Sequence, residues 1–361
     1  MKRRVAMKVM LDSADAADVL RFVEEAQVTG HLEHPNIVPV HELGGDEQEQ
    51  LFYTMKFVRG ITLKKVLALL ADGIAAAVKK YPLPALLTIF RKMCDALAFA
   101  HSKGVIHRDL KPENIMLGDF GEVLVMDWGL AKVLGKKDAA HPARSAVLSV
   151  RTIEGGSDTA LGTIMGTPAY MSPEQARGEI DRLDAPSDIY ALGAILFEIL
   201  HLRPVVTGTD ARDIVQKVAR GEVEWTVLSE ELTPRRKDAK AGGRSAESEP
   251  FAPLRLCVSH LPGDRIPASL LAVVRKAMAL DAAARYPRVA DLQADVLAYQ
   301  NGFATSAEKA GAWKQLTLLV KRNKAASIGA AAVLLVAPSS APSSAPARSS
   351  RAAAPNGRSS I

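Results

Sequence analysis

His107-Arg108-Asp109-Leu110-Lys111-Pro112-Glu113-Asn114, followed by Asp127-Trp128-Gly129, decides the reading of this chain. The run sets a carboxylate at Asp109, a cation two residues on at Lys111 and a carboxamide at Asn114, with a second carboxylate at Asp127. A His-Arg-Asp triplet recurs by chance. The whole run in register with a nearby Asp-Trp-Gly does not. On the amino side, Leu86, Leu87, Phe90, Cys94, Leu97, Ala98 and His101 fall along one side of a helix predicted over Leu83 to Lys103, which Gly104 ends. His101 there reads as a packed or capping histidine. On the carboxyl side, Ile115-Met116-Leu117 and Val123-Leu124-Val125-Met126 predict a hairpin that delivers Asp127.

These residues, with Met165-Gly166-Thr167-Pro168-Ala169-Tyr170-Met171-Ser172-Pro173-Glu174, resemble the signature of the bacterial Hanks-type serine/threonine protein kinases. Asp-Trp-Gly departs from the family's Asp-Phe-Gly but keeps an aromatic ring. Ser-Pro-Glu stands for Ala-Pro-Glu and keeps the acid. The resemblance implies an α+β, two-lobed fold with a small β-rich N-lobe and a larger helical C-lobe. It implies ATP and Mg²⁺ as cofactors and protein serines and threonines as substrates. Asp109 would take the proton of the attacking hydroxyl and Lys111 would steady the γ-phosphate. Asn114 and Asp127 would hold the cation that neutralises charge gathering on the phosphoryl oxygens. Arg285, in Ala284-Arg285-Tyr286-Pro287, would pair with Glu174. A non-catalytic kinase-like interaction module is the competing reading; the presence of all these polar residues weighs against it.

Upstream, Val5 to Met10 alternates as a strand, and Lys8 matches the lysine that holds the α- and β-phosphates. Ala17, Leu20, Val23 and Ala26, with Val19 and Phe22, recur at three- and four-residue steps, so Ala14 to His31 reads as an amphipathic helix. Glu25 on that helix is the expected partner of Lys8, with Glu24 as its rival. Pro35-Asn36 ends the helix, and strands are expected over Ile37 to Leu43 and Gln50 to Val58, joined by the turn Gly44-Gly45-Asp46. By resemblance Met55 backs the adenine pocket, and Lys56-Phe57-Val58 form the hinge whose backbone meets the adenine edge. The family's glycine-rich phosphate lid has no counterpart among the seven residues before Lys8. The expectation is therefore a chain clipped at both ends, with weakened ATP binding.

Downstream, helices are expected over Ile61–Ala71, Asp210–Arg220, Ala268–Leu280 and Val289–Asn301. Another, over Ala191–His201, is opened by Pro186-Ser187-Asp188, with Ser187 or Asp188 as cap and the helix as the buried pillar of the C-lobe. Gly135 to Gly162 is polar and aperiodic and reads as an activation loop. Thr152 and Thr159 within it and Thr163 just past it are the candidate phosphosites, and a phosphate on one of them would face Arg108 beside the catalytic aspartate.

The 361 residues carry a formal charge of +6, with the cations scattered and no aromatic residues among them, which excludes a nucleic-acid surface. Cys94 and Cys257 are far apart and without metal spacing, so they read as reduced thiols of a cytoplasmic domain. The expected organisation is a partial N-lobe over 1–60 and a C-lobe over 61–302, with an activation segment at 127–174 and an exposed insertion at 230–253. A basic juxtamembrane-like linker spans 303–324, an apolar stretch 325–337 and a disordered Ser/Ala/Pro-rich tail 338–361. Thirteen residues at ~1.5 Å each cover about 20 Å, too short for a bilayer core of ~30 Å, so 325–337 is at most a cut-off membrane helix. Self-phosphorylation, a homodimer and a membrane tether in a longer form complete the expectations.

Overall fold

The structure, a computed structural model, describes residues 4–10, 16–47, 50–133, 168–223, 225 and 266–308. The candidate phosphosites Thr152, Thr159 and Thr163, the insertion at 230–253, the apolar stretch 325–337 and the tail lie outside them. No helix among the described residues is long and apolar enough to cross a membrane.

Strand β1 (Val5–Val9) alternates exposed and half-buried side chains, as a half-covered strand must. After it come helix α1 (Ala16–His31) and strands β2 (Val40–Gly45) and β3 (Leu51–Lys56). They make an antiparallel sheet in the order β1-β3-β2, with Lys8 opposite Tyr53. The buried stripe of α1 is Phe22, Glu25, Ala26 and Thr29; it keeps Phe22 and Ala26 of the expected stripe and adds Glu25 and Thr29, while Val19 and Leu20 are 37% and 49% exposed. Phe22 and Ala26 pack on Tyr53, the Phe22 and Tyr53 rings 5.1 Å apart.

The strand expected from Ile37 begins instead at Val40. Residues 36–38 are stitched elsewhere: Val125 N donates to Asn36 O (2.8 Å) and Val38 N to Val125 O (3.2 Å). The link joins the small sheet to the helical part.

Strand β4 (Gly60–Thr62) precedes α2 (Leu63–Ala71), so the helix expected from Ile61 starts two residues late. Gly60 has φ 157°, and a side chain there would overlap the Leu117 carbonyl oxygen. The unforeseen α3 (Ala75–Lys80) leads to α4 (Leu83–Ser102), β5 (Val105–Ile106), β6 (Ile115–Gly118), β7 (Val123–Val125) and β8 (Lys132–Val133). Sheet β4-β6-β7 and the pair β5-β8 frame the segment 107–114.

Beyond it lie α5 (Pro173–Ala176), α6 (Ala185–His201), α7 (Ala211–Arg220), α8 (Ala268–Ala277) and α9 (Val289–Gln300). Helix α6 starts earlier than expected. Its cap is Asp184, in a capping box with Ser187, and neither Ser187 nor Asp188 takes that place. Every residue from Ser187 to His201 is buried, and α4, α8 and α9 pack around this pillar. The fold is α+β, a small sheet with one helix set on a larger helical body.

Candidate active site

The segment 107–114 turns between β5 and β6, and a carboxylate of α6 holds it. Asp188, 1% exposed, accepts hydrogen bonds from His107 N (2.8 Å) and Arg108 N (2.9 Å), and its Oδ2 lies 2.8 Å from His101 Nε2. Burial pushes the Asp188 carboxyl up, but the hydrogen bond and charge of His101 and the donors at His107 outweigh it and keep the carboxyl below its usual range. This grip holds Arg108 in the left-handed region at φ 67°, a conformation unfavourable for a side chain with a Cβ. Gln175 Nε2 donates to Arg108 O from α5 at 2.6 Å.

The turn aims its polar groups inward. Lys111 Nζ lies 2.8 Å from Asp109 Oδ2, and Asn114 Nδ2 donates to Asp109 O at 2.9 Å, which turns the amide oxygen away from that carbonyl. Met126 N donates to Asn114 O at 2.9 Å, so Asp127 sits one residue from the partner of Asn114. Asp127 is also left-handed, at φ 62°. His107, fully buried, accepts from Asp109 N through Nδ1 (3.3 Å) and approaches Met126 O through Nε2 (3.2 Å). Its ring stands 4.6 Å from that of Trp128, so the aromatic residue of Asp-Trp-Gly is packed against the loop it follows.

From the sheet side, Lys8 Nζ reaches Glu25 Oε1 at 2.6 Å and Asp127 Oδ1 at 3.5 Å. The rival Glu24 points to solvent. Tyr53 OH also donates to Glu25 Oε1, at 2.6 Å; burial first and the bond to Glu25 second push the phenol up, so it stays a donor. Lys8, Glu25, Tyr53, Met55, Asp127 and Trp128 are among the walls of a cavity of about 200 Å³. Phe57 is 43% exposed and Val58 half-buried, and neither lines this cavity.

A third constellation braces the site from behind. Arg285 grips Glu174 with two bonds of 2.8 Å, and Ser187 Oγ donates to Glu174 Oε1 at 2.7 Å. Burial pushes the Glu174 carboxyl up, yet the hydrogen bonds and charge of Arg285, with Ser187, bring it down to about 2.

Sequence reasoning missed Tyr53 and Gln175. Each meets its partner across the fold, 28 and 67 residues away, where no local pattern points to it. Among the described residues no group of three or more His, Cys, Asp or Glu side chains could hold a metal alone. Asp127 and Asn114 offer two oxygens, the sparse set that suits Mg²⁺, which completes its shell from substrate phosphates and water.

The protein kinase domain family matches residues 1–286 of the chain. The chain is 34% identical over 287 residues to serine/threonine-protein kinase PknD of Protochlamydia amoebophila, covering 78% of this chain and 26% of that one. The PknD of Chlamydia pneumoniae is 31% identical over 327 residues, with shares of 86% and 31%. That of Chlamydia muridarum is 39% identical over 211 residues, with shares of 55% and 22%. The chain thus spans less than a third of the length of these relatives. With the match running from the small sheet to Arg285 and Tyr286, the chain belongs to the protein kinase family.

Proposed function

We propose that the chain transfers the γ-phosphoryl group of ATP to serine and threonine hydroxyls of proteins. The observation that carries this reading is Lys8, whose ammonium bridges Glu25 of α1 and Asp127 beside the catalytic turn. An ammonium so placed is a fixed counter-charge for phosphates lying between the sheet and the turn. When bound, Mg²⁺ supplies charge neutralisation on the phosphoryl oxygens, and Asp127 with the Asn114 amide oxygen would hold it. Asp109 would orient and deprotonate the attacking hydroxyl, with Lys111 beside it to meet the γ-phosphate. Met55 would back the adenine and the Phe57–Val58 backbone would meet its edge.

Glu174 and Arg285 would fix the end of the activation segment, and Asp188 would fix the loop. A phosphate on Thr152, Thr159 or Thr163 would pair with Arg108. This reading divides the chain near residue 60 into a nucleotide-side and a substrate-side lobe, both cytoplasmic. Self-phosphorylation, with a second copy of the chain as protein substrate, and a homodimer belong to the same reading. The basic run Lys321-Arg322-Asn323-Lys324 before 325–337 supports a membrane tether in a longer form.

The test is incubation with labelled ATP, Mg²⁺ and a basic carrier protein. Label should enter serine and threonine, and Asp109→Asn should abolish it. Equal incorporation by that variant would overturn the mechanism, and none by the wild-type chain would favour a binding module.

A further inference from the structure

Past α9 the chain folds back and is fastened to the helix it has just left. Asp295, on α9 and 5% exposed, accepts from Tyr286 OH (2.7 Å), Ser306 N (2.6 Å), Ser306 Oγ (2.8 Å) and Ala307 N (3.0 Å). Thr305, 2% exposed, accepts from Glu308 N at 3.3 Å, and Ala307 packs against the main core. Lys276 Nζ, 4.1 Å from the Tyr286 ring centre, donates to Ser306 Oγ at 3.2 Å. Three donors from two adjacent residues converge on one buried carboxylate, so the polar bonds that tie Ser306 and Ala307 to α9 all end on a single charged acceptor. Within the segment 305–308, Ser306 is the one exposed residue. These residues lie beyond the stretch that matches the family and play no part in the site above.

We propose that Ser306 is a phosphate acceptor whose modification undocks residues 305–308 from α9. The source of the phosphate rests on the activity proposed above. The Ser306 Oγ–H bond breaks and an Oγ–P bond forms. The γ-phosphorus parts from its bridging oxygen, ADP leaves, and the proton passes to the carboxylate of Asp109 in a second copy of the chain. Ser306 thereby changes from a donor to Asp295 into a near-dianion with no hydrogen to offer it. Lys276 brings one positive charge, which cannot neutralise both the phosphate and Asp295. The repulsion acts on the two amide bonds that hold Ser306 and Ala307, because they end on the same carboxylate. The segment therefore has two arrangements, docked with a free hydroxyl and released with a phosphate.

Amide hydrogen exchange on the full chain carrying phosphoserine encoded at position 306 decides the release. Peptides covering 305–308 should exchange about tenfold faster or more than in the unmodified chain. Ser306→Ala keeps both backbone bonds and should change the rate by less than about threefold. Phosphoserine exchanging like the unmodified chain or like the alanine variant would overturn the release. Mass spectrometry after incubation with Mg²⁺ and ATP decides the acceptor. Phosphate on Ser306 supports it, and phosphate on other serines and threonines with Ser306 bare overturns it. No phosphate anywhere overturns the proposed activity together with Ser306 as its acceptor, and the phosphoserine chain still decides the release.

Discussion

Replacing Glu174 by glutamine removes a charge and almost no volume, so it tests what the buried ion pair with Arg285 contributes. The two 2.8 Å bonds join side chains that are 0% and 6% exposed, so solvent screening takes little away. In the unfolded chain the carboxyl titrates near 4.5, and in the fold near 2. At ~1.36 kcal/mol per pH unit the linkage amounts to about 3 kcal/mol near neutral pH. Because the folded value is the depressed one, this stability is full above pH 4.5 and is lost as pH falls towards 2. About 2 kcal/mol of it should be gone by pH 3. Urea unfolding of wild type and Glu174→Gln at pH 7, 5, 4 and 3 measures the difference directly. Wild type should lead by about 3 kcal/mol at pH 7, a large share of the ~5–15 kcal/mol typical of a domain, and by about 1 at pH 3. A gap that stays constant with pH would refute the assignment. So would Arg285→Met costing much less than Glu174→Gln, since removing either partner strands the other's buried charge.

Lys8→Met should lower phosphoryl transfer by about 10²-fold or more, while thermal unfolding moves little because Lys8 is 40% exposed; a variant retaining wild-type turnover would remove the basis of the proposed function. Gly129→Ala would set a Cβ 2.9 Å from Glu25 Oε2, so it should displace Glu25 from Lys8 and reduce activity about as much as Glu25→Gln; nucleotide titration with activity assays of both variants checks the match. Asp188→Asn turns a double acceptor into a group with one acceptor and a buried NH₂, and about 2–4 kcal/mol of stability should go. Its kcat should fall more than its KM for ATP rises, because the loop that carries Asp109 loses its anchor while Lys8 does not.

Where chemistry is written in consecutive residues, the sequence suffices. His107 to Asn114 is one turn, and its side chains meet because the backbone leaves them nowhere else. Glu25 is harder to separate from Glu24, and of the stripe expected on α1 Phe22 and Ala26 are buried while Val19 and Leu20 face solvent. Phe22, Glu25, Ala26 and Thr29 follow the helical spacing equally well, and they are the residues buried. The distinction lay in tertiary packing on Tyr53, which amphipathic periodicity alone does not encode. The start of α6 was missed for a different reason. Its long apolar run begins well inside the helix, while Asp184-Ala185-Pro186 carries the actual start signal of a cap with proline in the first turn. Tyr53 and Gln175 become legible only once strand register and helix packing bring their partners near.

Burial divides the acids of the site by what each must do. Asp188, Glu174 and Glu25, with side chains 1%, 6% and 8% exposed, each keep fixed partners within 3 Å. A carboxylate locked in this way can hold geometry but cannot change partners without stranding a charge. Asp109 and Asp127 are 19% and 46% exposed, and their lysine neighbours stand at 2.8 and 3.5 Å. Contacts of that kind, open to water, can be exchanged for a hydroxyl proton or a cation at small cost. The left-handed backbone at Arg108 and Asp127 falls in the two segments that present these open acids. Strain there persists because the buried acids and the His107–Trp128 contact over-determine the loop. It follows that variants of the three buried acids should change stability and turnover together. Variants of Asp109 and Asp127 should abolish turnover in a fold whose unfolding curve hardly moves, and a large loss of stability in Asp109→Asn would break this division.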